Sequence, residues 1–135
     1  MVIDTSALVA ILLKEAGRDL FIDAISNDPV RLISAVNALE TAMVIEAKKR
    51  EQGGRELDLL LHRANIEIVP FTAEHLEEAK SAWRSYGKGN HPAGLNFCDC
   101  CAYALSKVSQ EPLLFKGTDF QQTDIASALG EAREL

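Results

Sequence analysis

Apolar residues follow two alternating rhythms along this chain. Short apolar runs at 2–3, 31–33, 66–69 and 112–115 have the length and flanks of strands. Longer segments with helical spacing lie between them: 6–17, 18–26, one opening at Ser34 or Asn37 and running to Arg50, then 55–63, 72–86 and 96–109. The boundaries come from caps and breakers. Asp4, Thr5, Thr72 and Asn96 read as N-caps, while Gly17, Asn27-Asp28-Pro29, Gly53-Gly54 and Pro70 read as stops. Residues 87–94 form a polar loop around His91, and a loop holding Asp119 precedes a short element near Ile125. In the long helix the apolar stripe Val36, Leu39, Met43, Val44, Ala47 predicts the face turned to the core.

Strands separated by helices require right-handed crossovers. The expected fold is therefore α/β, with a central, mostly parallel, four- to five-stranded sheet and helices on both faces. Residues 1–135 are expected to form a single domain, long enough to bury a core without staples. In such sheets ligands sit beyond the carboxyl ends of the strands. That rule singles out Asp4, after the first strand, and Lys116 to Asp119, after the fourth.

Composition narrows the classes. At 47% apolar and 25% charged, the chain is neither disordered nor membrane-spanning, since no apolar run approaches 18 residues. Asp4 inside the first apolar run argues against a signal peptide, so a cytoplasmic location is expected. Cys98, Cys100 and Cys101 crowd four positions and lack metal-finger spacing; they read as buried, reduced thiols. His62, His75 and His91 are scattered, with no paired spacing, and read as surface residues.

Four acids carry the chemistry. Glu40 lies within the long helix's stripe, where an ionised carboxylate is costly unless it is paired, metal-bound or reaches water at the stripe's edge. Asp99 is third in the helix capped by Asn96; alone, it reads equally as half of a capping box. Asp4 alone reads as an N-cap, Asp119 as a turn residue, and Asp124 as a cap rather than a ligand. Taken together, two acids follow strand ends, one starts a helix and one sits on a helix face. Such carboxylates repel unless cations hold them, and oxygen donors without Cys or His select Mg²⁺ or Mn²⁺.

The ordered set V-I-D-T-S-A-L, A-L-E-T-A, N-F-C-D-C and L-L-F-K-G-T-D-F-Q-Q-T-D-I resembles the PIN-domain ribonucleases, in particular the VapC toxins of type II toxin–antitoxin systems. The resemblance covers essentially the whole chain. It departs at N-F-C-D-C, where relatives often carry Gly or aromatic residues in place of cysteines. It implies a PIN-like three-layer sandwich and an Mg²⁺-dependent endoribonuclease (Mn²⁺ substituting) that hydrolyses RNA with a metal-activated water. Asp4, Glu40, Asp99 and Asp119 would be the acidic quartet. Asp4 and Asp99 would be the principal ligands, Asp119 would assist, and Glu40 would bind a second ion or orient the water. Thr5, Ser6 and Thr118 would bond the acids or the phosphate, and Lys116 would stand at the site's edge.

The resemblance also implies a VapB-like antitoxin and assembly as a homodimer or hetero-oligomer, with no membrane. Leu12, Leu13, Phe21 and Ile22 are the apolar residues assigned to those contacts. The net charge of −6 is unusual for an RNA binder, leaving the local cations Lys88 and Lys116 to guide the backbone. A receiver domain is excluded by Val69-Pro70-Phe71 after the third strand, and a haloacid-type phosphatase by Ser6 in place of its second acid. The remaining alternative is a non-catalytic PIN module that binds RNA or a protein, which lost acids would mark.

Overall fold

Four strands form one parallel sheet in the order β3-β2-β1-β4, in a computed structural model that describes residues 1–130. The strands are β1 (Val2–Ile3), β2 (Leu32–Ser34), β3 (Glu67–Val69) and β4 (Leu113–Leu114). The helices are α1 (Thr5–Leu12), α2 (Arg18–Asn27), α3 (Ala35–Arg63), α4 (Ala73–Tyr86) and α5 (Phe97–Ser109). Residues 131–135, included in the single-domain expectation, lie outside the described residues.

Side chains alternate across the sheet, so neighbours in one strand feed opposite cores. Ile3, Ile33 and Leu114 pack with α1, α2 and the second half of α3, around Leu8, Phe21, Ile25 and Leu57. Val2, Leu113 and Phe115 pack with α4 and α5, around Ala82, Leu95, Tyr103 and Leu105. Both faces of the central strands are covered, which is why their apolar runs are continuous rather than alternating. The three-layer expectation holds with four strands. The element expected near Ile125 supplies only one parallel bridge, Ser127 to Leu113.

Several expectations need correction. The first helix stops at Leu12 rather than near Gly17, and the chain turns through left-handed Lys14 and Gly17 into α2. The long helix breaks at Arg50 (φ 58°, ψ −154°), not at Gly53-Gly54. Gly53 lies beyond the break, where a Cβ would stand 2.6 Å from Ile45 Cγ2 and 2.7 Å from Lys49 Cβ. Its role is to let the second segment of α3 approach the first.

The predicted stripe of α3 faces outward: Leu39 is 62% exposed and Met43 64%. The buried line is Asn37, Thr41 and Ile45. Two of those three are polar, so hydropathy could not mark the face. Phe21 is wholly buried, and Leu12 and Ile22 pack against the first core, so they are not the free apolar surface expected of them. His75 is buried against the Phe71 ring, at 5.8 Å between centroids, instead of lying at the surface. No helix among the described residues is long and apolar enough to cross a membrane.

Candidate functional site

The carboxyl ends of β1, β2 and β4 open into a cleft of about 280 Å³. Asp4, Thr5, Ser6, Val9, Glu15, Glu40, Asp99 and Lys116 line it. Residues far apart in the chain therefore meet where the strand-end rule places a ligand.

Asp4 leaves β1 and caps α1. Its Oδ2 accepts hydrogen bonds from the Ser6 N–H (3.0 Å) and the Ser6 hydroxyl (2.6 Å). The Lys116 N–H donates to the same Ser6 Oγ at 2.9 Å, tying the end of β4 to the Asp4 loop. Thr5 lines the cleft, and its hydroxyl donates to the Asn37 carbonyl at 3.2 Å. Glu40 comes from α3, three residues after Asn37, and is half-buried.

Asp99 sits in the first turn of α5. Its N–H donates to Asn96 Oδ1 (2.9 Å), and its Oδ2 accepts the Asn96 N–H (3.1 Å), a complete capping box. The two readings of this residue are compatible, because the cap uses Oδ2 and leaves Oδ1 for the cleft.

The electrostatics are unfavourable for ionised carboxylates. Burial pushes the Asp4 carboxyl up to about 6, against the hydrogen bonds from Ser6 and with help from the charge of Glu40. Burial likewise pushes Asp99 up to about 7; the Asn96 N–H opposes this, and the charges of Asp4, Asp119 and Glu40 add to it. Cys98, next to Asp99, has its thiol pushed to about 12 by burial and by the hydrogen bond and charge of Glu40. Cys98 is not among the residues that line the cleft, whose acids are all oxygen donors.

The outer members of the expected set fare differently. Asp119 is exposed and does not line the cleft, although its charge reaches Asp99. Thr118 is also exposed, and its carbonyl accepts the Gln121 N–H at 3.2 Å. Asp124 lies outside the cleft lining and accepts the Tyr103 hydroxyl at 2.7 Å and Lys107 Nζ at 2.6 Å. Sequence reasoning missed Glu15, whose carboxylate holds Lys116 Nζ at 3.2 Å across the cleft's edge. Glu15 lies in the turn after α1 and carries no local signal of that role.

The donors fit a hard divalent cation in kind, since Asp4, Glu40 and Asp99, buried or half-buried, face a shared space in which the fourth acid, Glu15, is paired with Lys116. Their spacing is looser. Among the described residues, no three His, Cys, Asp or Glu side chains stand close enough to hold one ion. Like charges spread unless a cation draws them in.

The PIN domain family matches residues 1–126. VapC ribonuclease Mb0640 of Mycobacterium bovis is 56% identical over 127 residues, covering 94% of this chain and 97% of that protein. Ribonuclease VapC of Mycolicibacterium smegmatis is also 56% identical, covering 94% of this chain and 98% of that protein. Among solved structures, the fold is similar to Mycobacterium tuberculosis VapC20, a sarcin-ricin loop cleaving toxin, with a TM-score of 0.75, 16% identity, and 93% and 95% of the two chains covered. It is also similar to VapBC2 of Rickettsia felis bound to a promoter DNA fragment, with a TM-score of 0.73, 17% identity, and 91% and 92% covered.

Proposed function

The chain belongs to the PIN-domain family and, within it, to the VapC ribonucleases, and on that premise we propose that it is a metal-dependent endoribonuclease serving as the toxin of a toxin–antitoxin pair. The observation that carries the reading is that Asp4, Glu40 and Asp99 line one cleft where burial and mutual charge disfavour the ionised Asp4 and Asp99, a cost that a bound dication would offset.

Asp4, Glu40 and Asp99 would hold Mg²⁺ or Mn²⁺, with Asp119 reaching in from the rim. Such cations supply Lewis acidity toward a phosphodiester and lower the pKa of a bound water. The chain's own residues do the positioning. Ser6 fixes the Asp4 carboxylate through Oδ2, and Asn96 fixes that of Asp99. Glu40 would bind a second ion or orient the attacking water. Lys116, paired with Glu15 at the cleft's edge, would turn its ammonium group to the phosphate backbone of single-stranded or looped RNA, and hydrolysis by water would leave 5′-phosphate and 3′-hydroxyl ends. Four acids retained at the expected positions weigh against a non-catalytic module.

The partner in this reading is a VapB-like protein whose basic side chain enters the acidic cleft in the cytoplasm. Leu39 and Met43, exposed on α3, are among the apolar residues available for it or for a second copy of this chain. The test is RNA cleavage with Mg²⁺ or Mn²⁺, with and without EDTA. Cleavage that survives EDTA at full rate overturns the reading.

A further inference from the structure

Three of the four acids that line the cleft, Asp4, Glu40 and Asp99, come from three separate elements, and one residue touches all three of those elements. Asn37 is wholly buried in the first turn of α3, three residues before Glu40. Its backbone carbonyl accepts the hydroxyl of Thr5, the residue after Asp4, at 3.2 Å. The same carbonyl accepts the Thr41 hydroxyl at 2.7 Å. Its side-chain Nδ2 donates to the carbonyl of Cys98, the residue before Asp99, at 3.0 Å and across 61 positions of sequence. Its Oδ1 is buried and accepts no hydrogen bond among the described residues.

That last fact separates two roles. A purely structural amide would have both ends satisfied, because a buried unpaired acceptor keeps its full desolvation penalty. Here the favourable Nδ2 bond is offset by the orphaned oxygen, so the amide adds little net stability. What it does supply is register: its Nδ2 bond to Cys98, together with the Thr5 bond to the Asn37 backbone carbonyl, makes a knot that sets the loop of Asp4, the turn of Glu40 and the cap of Asp99 against one another.

We propose that Asn37 is a positioning residue that holds these three carboxylates in register for divalent cations, an inference that rests on the metal-dependent reading above. Asn37 touches no substrate, and it acts through Thr5 and Cys98.

The test is Mn²⁺ binding to the purified full chain by calorimetry, alongside thermal melts and RNA cleavage. Asn37→Ala and Asn37→Ser are expected to bind Mn²⁺ about 10–100-fold more weakly, the usual loss when support for a ligand is removed. Their melting temperatures should stay within about 4 °C of the parent. Ile25→Val, on α2 in the first core and away from the knot, should bind Mn²⁺ like the parent even if it melts lower. Parent-like Mn²⁺ affinity in both Asn37 variants overturns the inference, and so does an equal loss of affinity in Ile25→Val. If Asn37→Ala does not melt cooperatively, Asn37→Ser carries the decision. If the parent chain itself binds no Mn²⁺, the metal-dependent reading fails, a result distinct from failure of the knot alone.

Discussion

The two ends of the sheet treat charge in opposite ways. At the amino ends of the strands, acids meet cations. The Met1 amino group lies 3.0 Å from Asp28 and 3.3 Å from Glu111, and Arg31 donates to the carbonyls of Asp28 (2.8 Å), Ala64 (2.7 Å) and Ser26 (3.2 Å). Burial alone would raise the Asp28 carboxyl, but bonds from the Val30 N–H and the Met1 amino group, with the charge of Arg31, hold it below its ordinary value. At the carboxyl ends the acids face one another, and Asp4 and Asp99 are pushed up to about 6 and about 7. One end spends its charges on stability. The other holds charges that oppose folding, as expected where a site is built for a ligand rather than for the fold.

The sharpest break of this contrast removes a charge from the strained end without touching the cap. Asn at position 99 can still accept the Asn96 N–H, so Asp99→Asn should keep α5 intact. Cleavage should nevertheless fall by roughly 10³-fold, more than the 10–100-fold typical of supporting groups. Asp4→Asn should behave alike, and EDTA should silence the parent. An Asp99→Asn enzyme at full rate in a cleavage assay would leave Asp99 with its cap alone.

The next effect is the pH dependence of the metal-free protein. Both groups are raised from 3.8, so the folded state binds their protons more tightly than the unfolded chain does. Their contribution to stability is full below about pH 4 and is lost as pH rises through about 6 and 7. For Asp4, almost wholly buried, the change is on the order of 3 kcal/mol. Asp28 has the opposite sign, and its contribution is lost as pH falls below the ordinary carboxylate range. Urea melts in EDTA between pH 4.5 and 7.5 should show stability declining with pH, a slope that Asp4→Asn and Asp99→Asn flatten. A flat parent curve would remove the strain from this account.

How far these two ends could be read from sequence depends on the range of the interactions. The strands and the caps at Thr72 and Asn96 were legible because each is a local pattern, an apolar run or a side chain bonding its own next turn. Asp4 followed from the strand-end rule. Glu40 was singled out from an apolar stripe that turns out to face solvent; it does line the cleft, but for a reason the stripe did not carry. Asn37, Glu15 and the Arg31 knot were invisible. Their partners lie up to 61, 101 and 33 positions away, and a buried polar residue looks like a surface one in hydropathy.

At the paired end, Arg31→Ala removes three charge-assisted bonds to helix and loop carbonyls. The expected loss is about 2 kcal/mol, because each freed carbonyl can recover water. Denaturant melts should shift accordingly, while cleavage per folded molecule stays at the parent rate. A loss of cleavage beyond the folded fraction would mean the two ends are coupled, and the contrast between them would no longer be one of separate tasks.

The smallest effect concerns Asp124, which the family resemblance left unassigned. Helix α5 carries Asp99 in its first turn and Lys107 near its other end, so one helix serves both kinds of charge. Asp124 pairs with Lys107 and accepts from Tyr103, and those two bonds hold its carboxyl below the ordinary range although burial pushes the other way. The pair is half exposed, which limits it to about 0–1 kcal/mol. Asp124→Asn keeps an acceptor for the Tyr103 hydroxyl and removes only the charge. It should lower the melting temperature by a few degrees at most, with unchanged Mn²⁺ affinity and cleavage rate. A cleavage loss like that of Asp99→Asn would place Asp124 with the strained carboxylates in function despite its paired surroundings, and the division between the ends of the sheet would have to be redrawn through α5.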